Sequence, residues 1–181
     1  MWLRNVLTIL HSLSGNYKTS RDNETGIMSV YEEKLRDYIK ENGIEAKVLT
    51  FNQSTHSVSE AAAAVGANAD DFVKSICMIG PNDELIVAIV KGEDRASTTR
   101  VSKALGIERP RIAEPEEMLE KSGYPAGGTP AFGYEAVFLM DPRVLEKDKV
   151  YSGGGSEQAL TYMSTEEMRR ANGATVVRVR S

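Results

Sequence analysis

Phe72-Val73-Lys74-Ser75-Ile76-Cys77-Met78-Ile79, then Gly80-Pro81-Asn82-Asp83, then Glu84-Leu85-Ile86-Val87-Ala88-Ile89-Val90 is the stretch on which the fold turns. Two apolar runs of strand length flank four turn-forming residues, so the stretch reads as a β-hairpin. A hairpin placed among helices argues for a mixed α and β class and against a doubly wound parallel sheet.

Toward the N-terminus, Ser57 and Glu60 have capping-box spacing and open a helix that runs through the alanines to Gly66. Ala46 to Phe51 reads as a strand. Ser29 and Glu32 have the same spacing, and Tyr31, Leu35, Tyr38 and Ile39 form the apolar stripe of a helix ending at Gly43. Before it, Trp2, Leu3, Val6, Leu7, Leu10 and Leu13 recur at helical spacing, and Ser14 to Gly26 is a polar linker. Residues 1–27 are therefore expected to be an appendage and residues 28–181 the domain.

Toward the C-terminus, a helix from about Ser97 to Leu105 stops at Gly106, and another has Pro115 at its first position and stops at Gly123. Strands are expected at Ala136 to Met140, near Val150 and near Leu160. Ser164 and Glu167 cap a last helix before Asn172-Gly173, and Thr175 to Val179 reads as a closing strand.

Composition narrows the chemistry. At 181 residues the chain fits one domain. No apolar run approaches the roughly 20 residues that span a bilayer, so no membrane partner is expected. One cysteine, Cys77, and two histidines make a poor set of metal ligands, so neither metal nor cofactor is expected, in a reducing, cytoplasmic setting. A net charge of -4 counts against binding long DNA. The basic run Lys91, Arg95, Arg100, Lys103, Arg109 and Arg111 reads as a solvated helix face and allows contact with a few phosphates.

Three places can carry chemistry. Alternation along Phe72–Ile79 puts Lys74 on the side of Phe72, Ile76 and Met78, where an ammonium is either at the mouth of a pocket or paired, or else is an edge-strand lysine that discourages aggregation. The loop from Gly123 to Gly133 contains Gly127, Gly128, Thr129 and Pro130. Its glycines let backbone N–H groups approach an anion or an ester carbonyl. Ser152-Gly153-Gly154-Gly155-Ser156 is a second backbone-exposing turn, expected to be the more peripheral. His56, just before a helix, has no acid or nucleophile placed beside it by sequence.

These pieces, in this order, resemble the YbaK/ProX family of free-standing aminoacyl-tRNA deacylases, which are similar to the editing insertion of prolyl-tRNA synthetases. The resemblance rests on His56, Ser57 to Ala62, Phe72 to Ser75, Val101 to Gly106, Gly123-Tyr124, Gly127-Gly128 through Gly133, and Ser152-Gly153-Gly154. It covers about Ser29 to Arg180. It implies an α+β domain with a curved mixed, largely antiparallel sheet flanked by helices, and a pocket between sheet and loops. The implied activity is hydrolysis of the ester joining a small, wrongly attached amino acid to the 3′ end of tRNA, with an aminoacyl-tRNA synthetase as a second candidate partner. The family's essential lysine falls on Lys74, and its glycine-rich substrate loop on Gly127, Gly128, Thr129, Pro130 and Gly133. Gly153, Gly154 and His56 complete the expected binding set. Family members commonly carry proline two residues before the final glycine, where Ala131 stands. The competing readings are a catalytically inactive binding module attached to a synthetase and a small-molecule hydrolase unrelated to RNA.

Overall fold

A computed structural model describes Ser29–Ser181, so the expected helix over Trp2–Leu13 and the appendage of residues 1–27 lie outside the described residues. The elements, in order, are α1 (Val30–Glu41), β1 (Ala46–Thr50), α2 (Val58–Val65), β2 (Val73–Ile79), β3 (Leu85–Lys91), α3 (Thr98–Leu105) and β4 (Arg111–Ile112). They continue with α4 (Pro115–Ser122), β5 (Val137–Met140), β6 (Lys149–Gly153), β7 (Ala159–Ser164), α5 (Thr165–Asn172) and β8 (Thr175–Val176). The hairpin is present: β2 and β3 pair antiparallel from Val73 opposite Lys91 to Ile79 opposite Leu85. Gly66, Gly106, Gly123 and Gly173 end their helices in the left-handed conformation, as their positions predict.

The strands form a five-stranded sheet, ordered β4-β2-β3-β5-β8, and a three-stranded antiparallel sheet, β1-β7-β6. A single parallel bridge between Phe72 and Tyr151 joins them, and the two rings stack with centroids 5.0 Å apart. Among the described strands, only the pairs β3–β5 and β5–β8 are parallel. β3 is buried along its whole length, because it lies centrally and both faces of the sheet are covered. One face packs Val73, Cys77, Val87 and Ile89 against Leu35, Phe132 and Met163. The other packs Met78, Ile86, Ala88 and Val90 against Val101 and Val179.

Three expectations change. Ser29 caps α1 by accepting from the Glu32 N–H, but the Glu32 side chain does not return the bond. Its carboxylate is 1% exposed and accepts from the hydroxyls of Thr50 (2.7 Å) and Ser156 (2.6 Å). Tertiary partners have outcompeted the local cap, and Glu32 ties α1, β1 and the turn after β6 together. The closing strand is shorter than Thr175 to Val179. After Val177 donates to the Met140 carbonyl, the N–H groups of Val179 and Arg180 turn to the buried carboxylate of Asp141. The basic run is also no single face: Lys91 is buried and pairs with Glu146 at 3.6 Å, and Arg111 is held by Glu117.

Asp141 makes the C-terminal closure pH-sensitive. Burial pushes its carboxyl up, but the N–H groups of Arg143, Arg180 and Val179 and the Arg180 guanidinium at 2.6 Å outweigh burial and hold it below the usual range. A carboxyl lower in the folded than in the unfolded state adds stability in full above its unfolded value, about 3.9, and loses it as pH falls through the folded one. Asp141→Asn should cost about 2–4 kcal/mol at neutral pH, since it strands Arg180 and two amides. In urea titrations the gap to the parent protein should close as pH falls below about 4.

Candidate active site

The site follows from an unfinished ladder. β2 pairs with β3 over seven residues but with β4 only through Met78 and Ile79, extended by the Ala113 N–H donating to the Cys77 carbonyl. The edge of β2 before Cys77 is open, and a cavity of about 340 Å³ lies against it. Val73, Lys74, Ser75, Ile76 and Cys77 all line it, since an open edge exposes residues of both pleat faces. The apolar wall is Val58 and Ala61 from α2, Phe72, Ile112, Met118 and Leu160. This volume is at the small end for ligand pockets.

Lys74 stands on this wall, half-buried, with no hydrogen bond or ion pair among the described residues. Burial pushes its ammonium down from the ordinary lysine value, the like charge of Arg95 adds to this, and Asp94 opposes it. Lys74 thus lines the cavity and is unpaired among the described residues, and it also lies on the open edge of β2. Cys77 also lines the cavity, but burial pushes its thiol up to about 12, so it is packed and not nucleophilic at neutral pH.

The two glycine turns form one wall. The Gly155 N–H donates to the Gly128 carbonyl at 2.8 Å, and a Cβ on Gly153 would lie 2.3 Å from the Thr129 carbonyl oxygen. Only glycine allows this approach. Gly127, at φ +83°, packs under the His56 ring, where a Cβ would fall 2.4 Å from Nδ1. The Gly128 N–H is taken by the Pro125 carbonyl (3.2 Å), whereas the N–H of Gly127, the one of the two that lines the cavity, has no backbone acceptor among the described residues.

Of the expected residues, Lys74, His56, Gly127, Thr129 and Gly153 line the cavity. Gly128, Pro130, Gly133 and Gly154 lie behind it. The Pro130 carbonyl accepts from Ser75 and Tyr134, and Gly133 packs against Tyr38 and Leu35 of α1. Ala131 is fully buried and does not line the cavity, so the departure from the family pattern sits outside the pocket wall. Glu157 escaped sequence reasoning: its carboxylate lies 3.0 Å from His56 Nδ1. No local spacing announces that pair, which forms only because β6 and β7 bring the turn back to α2.

Among the described residues, no three His, Cys, Asp or Glu side chains are grouped as metal ligands would be, and no helix is long and apolar enough to cross a membrane.

Among the described residues the cavity wall carries one ammonium, Lys74, beside closely packed glycine backbone, and no carboxylate lines it, an arrangement that suits a small, anionic or ester-bearing ligand. The aminoacyl-tRNA editing domain model matches residues 52–171. The chain belongs to that family, and its activity is hydrolysis of the aminoacyl-tRNA ester. It is similar to the solved structure of a hypothetical protein (31% identity, TM-score 0.75, covering 82% of this chain and 99% of that one). It is also similar to a structure provisionally described as a trans-editing enzyme for prolyl-tRNA synthetase (27%, TM-score 0.79, 85% and 99%). The uncharacterised YwhH protein of Bacillus subtilis is 23% identical over 74% of this chain and 86% of its own length. The proline–tRNA ligase of Thermosipho africanus is 28% identical over 71% of this chain, which spans only 23% of the ligase.

The interlocked turns overturn the expectation that the second one is peripheral. A Cβ on Gly154 would lie 2.5 Å from the Ala159 carbonyl carbon and Leu160 nitrogen, and one on Gly128 2.6 Å from Ser156 backbone. Backbone cannot step aside cheaply. Thermal melts of Gly154→Ala and Gly128→Ala should each report a loss of about 1–3 kcal/mol. Unchanged melting would mean that the turns are not packed as described.

Proposed function

We propose that this domain removes a small, wrongly attached amino acid from tRNA in trans, with the aminoacyl group in the cavity beside Lys74. The observation that carries this reading is the unpartnered Lys74 ammonium on the wall of a small, mostly apolar pocket. A half-buried ammonium without a counter-ion among the described residues carries a desolvation cost, and a ligand that supplies negative charge would offset it. The 3′ end of tRNA does so through its terminal phosphate and through the charge that develops on the ester carbonyl during hydrolysis. A compact ammonium can hold either.

In this reading the Gly127 N–H is the complementary donor and holds the carbonyl oxygen as it becomes an oxyanion. An aminoacyl ester needs little further activation, so orientation of a water beside these donors supplies much of the rate. The apolar wall of Val58, Ala61, Phe72 and Leu160 would select by exclusion. Size exclusion suits an editing site, because synthetases discriminate poorly by one methylene.

The partner in this reading is the 3′ end of aminoacyl-tRNA, in the cytoplasm, with prolyl-tRNA synthetase as the associated enzyme whose errors are corrected. The inactive-module reading gains nothing from Ala131, since that residue lies outside the pocket wall.

Lys74→Met should abolish most deacylation of mischarged tRNA while leaving the melting temperature unchanged or slightly higher, because it removes a desolvated charge. A mutant with near-normal turnover sinks the assignment; one that melts much earlier makes Lys74 structural. Exhaustive EDTA treatment should leave activity intact, and loss restored by zinc would show a metal in the reaction.

A further inference from the structure

His56 and Glu157 are held in place by more than their own contact. The Thr55 N–H and hydroxyl both donate to the Glu157 carbonyl, at 2.6 and 3.1 Å. The His56 N–H donates to the Ser54 hydroxyl at 3.2 Å, and Ser54 in turn donates to Glu60 at 3.1 Å. The imidazole rests on the bare α-carbon of Gly127, its Nδ1 at 3.0 Å from the Glu157 carboxylate. A carboxylate on Nδ1 selects the tautomer with the proton there and leaves Nε2 as an acceptor. Nε2 has no partner among the described residues, and His56 lines the cavity with its side chain 58% exposed. A substrate can therefore reach it.

We infer that His56 is the proton-transfer residue of this pocket and Glu157 its positioning residue. The inference rests on the editing reading. Nε2 takes a proton from water as the water oxygen bonds to the ester carbonyl carbon. The tetrahedral adduct then expels the ribose oxygen with its bonding pair, and the proton on Nε2 passes to that oxygen. The products are the free amino acid and a tRNA with its 3′-terminal hydroxyl restored. No further reactant is needed. Glu157 acts through His56, fixing the ring and stabilising the imidazolium between the two transfers.

Few charges face the imidazole. Glu157 lies on Nδ1, Glu60 on α2 is held below the usual range chiefly by the Ser57 N–H and the Ser54 hydroxyl and least by His56, and Lys74 is on the β2 wall of the same cavity. The Ala126–Thr129 loop beneath the ring brings no ionisable side chain.

The test is the single-turnover deacylation rate against pH, corrected for spontaneous hydrolysis, for the parent protein, Lys74→Met, His56→Gln, Glu157→Gln and Glu157→Asp. The substrate's amino group titrates identically in all of them, so any rising limb lost with His56 belongs to the enzyme. His56→Gln should lower the rate by about 10²–10⁴ and abolish that limb. Glu157→Gln should lower it by about tenfold and move the limb to lower pH, and Glu157→Asp should recover part of both. Both residues are exposed, so melting temperatures should hold. A His56→Gln protein with the parent's rate and limb overturns the inference. So does a rate loss that only tracks a loss of folded protein, which would make the pair a clip between loops. If the parent protein itself hydrolyses no mischarged tRNA, the editing reading fails instead; if it does and only Lys74→Met is inactive, editing stands and this inference falls.

Discussion

The site depends on a strand that is paired along one side and almost abandoned on the other. β2 satisfies its backbone against β3 over seven residues, while β4 supplies only two. An exposed strand edge is ordinarily a liability, because its unpaired amide and carbonyl groups invite another strand. Here the loop from Gly123 to Gly133 and the start of α2 close over it, with the Ser75 hydroxyl reaching the Pro130 carbonyl, and the space between becomes the cavity. A longer β4 would fill it.

Closing that space from the far side requires two backbones to approach nearer than any side chain permits. The Gly127-Gly128 loop and the turn after β6 interlock through the Gly155-to-Gly128 hydrogen bond, and Gly153 and Gly154 lie directly against neighbouring main chain. The same turn is anchored from behind, where Ser156 donates to the buried Glu32 carboxylate. Helix α1 thereby braces a wall to which it contributes no lining residue. Rigid support of this kind is what a site needs when it works by positioning.

Polar groups divide by whether the fold has completed their partners. Glu32 and Asp141 are buried with their hydrogen bonds made, and they hold separate segments together. Among the described residues, Lys74 is partly desolvated without a counter-ion, and Nε2 of His56 has no acceptor or donor beside it. The first pair contributes to stability. The second pair carries cost or indifference in the unliganded protein, which is the pattern expected where binding energy is reserved for a ligand.

The elements themselves were legible in the chain. Capping serines, glycine stops, Pro115 at a helix start and the Gly80–Asp83 turn are local signals, set by the φ/ψ needs and hydrogen bonds of a few neighbouring residues. Lys74 was legible too, because strand alternation is local and an ammonium among Phe72, Ile76 and Met78 breaks the pattern. Tertiary structure alone decided the rest. It drew Glu32 from its capping box to Thr50 and Ser156, curtailed the last strand at Asp141, and made Gly154 a packing residue. It also set Glu157 on His56. Each of these is a contact between segments far apart in sequence, and its energy comes from partners that no local spacing can reveal.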